Sequence, residues 1–237
     1  MTDRVGVAGA WDQSEVRSAR RYVLHVRKSG DRVADRRAPA ALVPDQVCAP
    51  VHRAIVALDI ARSTVRADPV KARLRRRMYH ILDEAMWSSG ISGQHHDFPI
   101  DRGDGALVLI KPSDQVPKTI LLARLMPALA CFLADYNARY PHQAFQLRAS
   151  VHAGEVNYDR WGPFGEALDI ACRLLDAPEL KNALAGSTAP LALVVSDDIY
   201  RSIVRHGYDQ IDSEHFSPDV RVEVAGIPHL GWVRGSG

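Results

Sequence analysis

The chain has 237 residues and a mass of 26.2 kDa, enough for one well-buried core and an appendage. Apolar residues make up 46% and charged residues 24%, near the averages for folded domains, which excludes a wholly disordered chain, a collagen and a coiled-coil rod. The formal charge of +2 gives no whole-molecule case for nucleic acid, and no such partner is expected.

Charge is uneven along the chain. Residues 1–50 hold nine Arg/Lys and six Asp/Glu, and the remaining 187 hold 21 and 22. Residues 1–47 scatter Arg17, Arg20, Arg21, Arg36 and Arg37 among few large apolar residues. They read as a basic N-terminal arm, partly disordered, with one helix near 13–27. Pro44 and Pro50 mark entry to a body over 48–237.

In the body, Ala54 to Leu58 is an apolar run ending at Asp59, the pattern of a strand buried on both faces. Asp68-Pro69 opens a helix to Trp87, with Asp68 as an acidic cap. Residues 90–101 form loop and a short strand. Arg102-Gly103-Asp104-Gly105 is a tight turn into a strand over Ala106–Ile110. Val116–Asn137 reads as a long amphipathic helix and Ala144–Ala153 as a strand. A loop over Glu155–Phe164 carries Tyr158, Trp161 and Phe164, read chiefly as packing residues with base stacking as the alternative. Gly165–Asp176 is helical, with Ala167, Leu168, Ala171, Leu174 and Leu175 on one stripe. Leu191–Val195 is a strand, Ser196 caps a helix to Arg205, and Val220–Val224 and Leu230–Val233 close as strands. The order predicts an α+β fold: a ferredoxin-like βαββαβ core with C-terminal additions, helices covering one face of a mainly antiparallel sheet.

Cys48, Cys131 and Cys172 are an odd number without CxxC spacing, against both a disulfide framework and a cysteine zinc site. The N-terminus has no apolar core of signal-peptide length, and Thr119–Leu133 falls short of a bilayer span. The expectation is a cytoplasmic protein with no membrane partner.

Two carboxylates stand out by position. In a ferredoxin-like sheet the first and third strands lie side by side. The end of the first then faces the turn before the third, so Asp59 and Asp104 would meet at one edge. Two carboxylates and a backbone carbonyl make an oxygen-rich site suited to Mg²⁺ or Mn²⁺. The ordinary alternative is that Asp59 caps Ser63-Thr64 and Asp104 is a turn residue. His95-His96-Asp97 reads as a polar loop run, and His152 as a satisfied strand histidine.

Four segments, Leu58-Asp59-Ile60-Ala61-Arg62-Ser63-Thr64, Arg102-Gly103-Asp104-Gly105, Leu147-Arg148-Ala149-Ser150-Val151-His152-Ala153-Gly154 and Gly165-Glu166-Ala167-Leu168-Asp169-Ile170-Ala171-Cys172-Arg173-Leu174, occur in the order of one family. Together they resemble the class III nucleotide cyclase homology domain. The resemblance implies a metal-dependent enzyme converting a nucleoside triphosphate to a 3′,5′-cyclic nucleotide and pyrophosphate. It implies a head-to-tail homodimer with shared active sites. Two Mg²⁺ or Mn²⁺ ions would be held by Asp59, Asp104 and the Ile60 carbonyl, and phosphates by the N–H groups of Ala61, Arg62, Ser63 and Thr64 at a helix start. From the partner subunit, the position of Asp169 would orient ribose and Arg173 would stabilise charge on the α-phosphate.

The sequence departs from that pattern at several places. Asp169 replaces an Asn and cannot donate a hydrogen bond when ionised. Arg62 stands where the family has Gly, and Ala225 where a phosphate-binding Lys is common. The base-reading positions correspond to Ile100 and Gly162, neither able to select adenine. A pyrimidine is therefore as open as a purine, and bacterial uridylate and cytidylate cyclases of anti-phage defence share the implied fold. The alternative is a degenerate cyclase-like module that binds nucleotide or a protein without turnover.

Overall fold

The computed structural model describes residues 49–185 and 187–235; the expected arm over 1–47 lies outside them. Eight strands form one mainly antiparallel sheet. In chain order the elements are β1 (Val51–Ile60), α1 (Asp68–Ser88), β2 (Ile100–Asp101), β3 (Gly105–Ile110), α2 (Met126–Arg139), β4 (Leu147–Asp159), β5 (Gly162–Phe164), α3 (Glu166–Asp176), α4 (Pro178–Leu184), β6 (Leu191–Ser196), α5 (Asp197–Ser202), β7 (Phe216–Val224) and β8 (Ile227–Arg234). The strand order is β2-β3-β1-β4-β6-β8-β7, with β5 paired to β4 and only β4–β6 parallel. The first long strand thus lies between β3 and β4 at the centre.

Both faces of this sheet are covered, not one. Ala54, Val56, Leu58 and Ile60 of β1 join α1, α2 and Ile199 of α5 in one core. Ile55 and Ala57 join α3 and α4 in a second. Side chains alternate across a strand, so a continuous apolar run needs a partner layer on each side. Each fully buried Leu or Ile, such as Leu58 or Ile55, contributes about 2–3 kcal/mol.

Several local expectations change. Ala67, without a side-chain bond, occupies the cap of α1, and Asp68 sits in the first turn. Helical structure before α2 begins near Thr119 and passes through a π turn over Leu121–Leu125. The Met126 N–H reaches back to the Leu121 carbonyl, a wider turn just ahead of Pro127, which has no N–H and whose ring crowds the preceding turn. The helix is also buried nearly all round over Leu125–Cys131, so its first half lacks a polar face. The stretch 155–164 is a hairpin, not a loop. Val156 and Tyr158 alternate with polar neighbours, and Asp159 Oδ1 accepts the N–H groups of Trp161 (2.8 Å) and Gly162 (3.1 Å) to close the turn. Ser196 does cap α5, its Oγ accepting from the Ile199 N–H.

Candidate active site

The site begins at the C-terminal end of β1. Alternation places Asp59 on the α3–α4 side, in line with Ile55 and Ala57. Arg148 stands directly opposite on β4. Its guanidinium holds both carboxylate oxygens, Nε to Oδ1 at 2.8 Å and Nη2 to Oδ2. The pair is deeply set, Asp59 8% and Arg148 9% exposed. Burial pushes the Asp59 carboxyl up to about 6; the Arg148 charge opposes this, while Asp104 and Asp176 add to it.

Asp104 arrives from the turn before β3. Gly105 pairs with Asp59 across the strands. A Cβ there would collide with the Leu58 carbonyl, so only glycine lets β3 close on β1 beside the carboxylate. Asp104 accepts from Ser63 Oγ, and its carbonyl takes the Ile60 N–H at 3.0 Å. On antiparallel strands a residue turns its N–H and C=O to the same side, so the Ile60 carbonyl also faces Asp104. The turn is clamped from behind. Arg75 grips both oxygens of Asp101 at 2.6 Å and the Gly103 carbonyl. The Arg75 hydrogen bonds hold the Asp101 carboxyl down at about 2.

Asp59, Ile60, Ala61, Arg62, Ser63, Thr64 and Asp104 line one cleft of about 520 Å³. The donor set is all oxygen. Two carboxylates converge, and the Asp104 charge raises Asp59, a repulsion that a dication relieves. These residues fit Mg²⁺ or Mn²⁺, with the Arg148 pair as a competitor for Asp59.

The phosphate loop differs from the expected helix start. Residues 61–67 are turn and bend, and α1 opens only at Asp68. The Ala61 N–H is taken by the Gln146 carbonyl at 2.9 Å, which leaves Arg62, Ser63 and Thr64 as the candidate donors. Arg62 is exposed with φ of 55°, a left-handed conformation that suits glycine. Ala225 forms with Gly226 the two-residue turn between β7 and β8, both at positive φ, and is absent from the cleft lining.

No family model matches the chain, and no curated protein matches it. Solved structures do. An adenylate/guanylate cyclase/hydrolase from Silicibacter pomeroyi is 20% identical over 80% of this chain and 99% of its own, with a TM-score of 0.57. The adenylyl cyclase CyaB from P. aeruginosa is 14% identical over 78% and 95%, with a TM-score of 0.53. The catalytic core of a rhodopsin-guanylyl cyclase with converted specificity, in complex with ATPαS, is 13% identical over 81% and 98%, at 0.52. The chain has the class III nucleotide cyclase fold.

In this cyclase fold the remaining candidates fall elsewhere. Asp169 and Arg173 are exposed on α3, no ion pair joins them, and neither lines the Asp59–Asp104 cleft. Asp169 instead lines a second hollow of about 710 Å³ with Ile100, Leu107, Pro163, Phe164 and Cys172. Gly162 is not among its lining residues and closes the β4–β5 turn. Tyr158 donates to Asp97, which also accepts from Arg53 Nε at 2.9 Å, so this aromatic packs. Trp161 is 78% exposed beneath Arg160, and Phe164 borders the second hollow. His95 and His96 turn to separate partners: the His95 ring to Ser92 and Gln115, the His96 ring to the Asp97 carbonyl.

Four charged residues of the cleft lining, Arg102, Arg148, Asp176 and Lys181, carry no signal of this site in the sequence. Arg148 lies in the segment Leu147–Gly154 that resembles the family, but its place against Asp59 follows only from the β1–β4 register. Arg102 lines both hollows. Asp176 and Lys181, paired at 3.4 Å, flank the cleft from α3 and α4. The Pro178-Glu179 start of α4 was a readable helix signal.

Proposed function

We propose that the chain is a metal-dependent nucleotidyl cyclase that converts a nucleoside triphosphate to a 3′,5′-cyclic nucleotide and pyrophosphate as a homodimer. The observation that carries this reading is the meeting of Asp59 and Asp104 at one cleft in a cyclase fold. When bound, Mg²⁺ or Mn²⁺ would set positive charge beside the triphosphate and favour loss of the 3′-hydroxyl proton. Asp59, Asp104 and the Ile60 carbonyl would hold the cation. Ser63 orients Asp104, and the Arg62 to Thr64 N–H groups would bind phosphate oxygens.

In the reaction the ribose O3′ forms a bond to the α-phosphorus and the bond from that phosphorus to the bridging oxygen breaks. Pyrophosphate leaves with the electron pair, and the 3′ proton passes to water. Arg173, from the facing subunit, would donate to the α-phosphate oxygens as charge develops. Asp169 would accept from a ribose hydroxyl. The exposure of both, outside their own protomer's cleft, supports a site completed across an interface.

Incubation of the protein with Mn²⁺ and each of ATP, GTP, CTP and UTP, with product masses determined, tests the reading. A cyclic product from one of them, lost in Asp104→Asn, supports it. The second reading is a binding module without turnover, favoured by the Asp169 carboxylate and by an Asp59 already held at both oxygens. It predicts nucleotide binding with no cyclic product from any of the four.

A further inference from the structure

The Asp59–Arg148 pair is the most tightly built feature of the cleft. The two residues face each other in register on adjacent central strands, each nearly enclosed, and the contact is bidentate. Neither partner has room to drift. Asp59 lies near the end of a fully paired strand between β3 and β4, and Gly105 closes against its backbone. A carboxylate set this deeply without a counter-charge would be costly, and a guanidinium spreads its charge over a fork matching both oxygens. Of the two carboxylates, only Asp59 has both oxygens so engaged; Asp104 accepts from a neutral hydroxyl.

We propose that Arg148 is the resident counter-ion of Asp59, a positioning residue that fixes this carboxylate in the metal-free protein and is displaced when a divalent cation binds. The inference rests on the metal-binding reading of Asp59 and Asp104. Two consequences follow. The fold does not require metal to keep Asp59 in place. Cation affinity is set by competition with Arg148 as well as by the ligands.

The direct test uses the unsubstituted protein labelled with ¹⁵N-arginine. The Arg148 Nε–H resonance is assigned by its loss in Arg148→Lys, and Mg²⁺ is then added without nucleotide. A shift and exchange broadening of that resonance, saturating with the same midpoint as Mg²⁺ binding measured by calorimetry, is expected. An Arg148 resonance unmoved at saturating Mg²⁺ overturns the proposal. Variants supply a second readout. At pH 8.5, Arg148→Met should bind free Mn²⁺, measured by its electron paramagnetic resonance signal, about tenfold more tightly than the unsubstituted protein. It should also melt lower without metal and recover on adding Mn²⁺. Arg148→Lys, with one prong instead of two, should fall between. Equal or weaker Mn²⁺ binding in a folded Arg148→Lys contradicts the competition. Asp59→Asn separates the two claims: if Mn²⁺ binding persists unchanged there, the metal reading of the cleft fails, whatever Arg148 does.

Discussion

The two halves of the candidate site are built in opposite ways. The Asp59–Asp104 half is locked from every side: by strand register, by Gly105 against Leu58, by Arg148 on Asp59, by Ser63 on Asp104 and by Arg75 behind the turn. The Asp169–Arg173 half stands on the exposed face of α3, with no ion pair between its members. One half is finished within the protomer. The other is exposed on its own protomer, and in the proposed reading it serves the site of a facing subunit. Substitutions should therefore separate stability from activity along this line.

The largest stability effect is expected at Asp59. Asp59→Ala strands a buried guanidinium, and loss of one partner of such a pair costs about 3–5 kcal/mol. Denaturant unfolding should show it as a lower midpoint, whereas Asp104→Asn, in a turn, should lose far less. Equal losses would mean that the Asp59–Arg148 pair is not the lock. Gly105→Ala should cost about 2–4 kcal/mol, because β3 must move off β1. Mn²⁺ binding should weaken with it, since the two carboxylates separate.

The next effect lies outside the cleft and gives a baseline. His152 is 3% exposed, its Nδ1 2.8 Å from Ser196 Oγ, and burial pushes its pKa down from 6.5 to about 4. The unfolded chain takes up this proton near pH 6.5 and the folded chain only near 4. Between those values the unfolded state binds more protons, so stability falls as pH drops from 6.5 to 4, by up to about 3 kcal/mol. Above 6.5 this contribution is complete. The raised Asp59 carboxyl works in the opposite direction below about pH 6, so the His152 slope is read as the difference between the unsubstituted protein and His152→Gln across that range.

The smallest stability effect is expected at the exposed half. Arg173→Ala should change unfolding by no more than about 0.5 kcal/mol while lowering cyclase turnover about a hundredfold or more. Asp169→Asn should leave stability alone and preserve or raise turnover, because an amide both donates and accepts. A large loss of stability in either would place them in the protomer's own scaffold.

Much of this division was legible beforehand. The apolar run ending at Asp59, the Gly-Asp-Gly turn and the stripe on α3 are local patterns, and they placed Asp59 beside Asp104 through one topological inference. What local pattern could not supply was register. The Asp59–Arg148 pair joins residues 89 apart in sequence, and nothing in either neighbourhood announces the other. The second layer of helices escaped the one-face expectation even though a strand apolar at every position requires two. The π turn needed the joint reading of Pro127 and the helix before it. In the β4–β5 hairpin, closely spaced aromatics and glycines mask the alternation that carries the strands. The loop over 61–67 took its expected helical start from the resemblance, and the Ala61–Gln146 bond shows where this chain's backbone goes instead.

The most direct test of a site shared between subunits is complementation. Asp104→Asn and Arg173→Ala proteins, each inactive alone, are mixed, unfolded together and refolded at a concentration where dimers form. In mixed dimers both defects fall in one site and leave the other whole, so activity should return to about a quarter of the unsubstituted level. Mixtures that stay inactive, with mixed dimers shown to be present, would contradict the assignment of the two halves to different subunits.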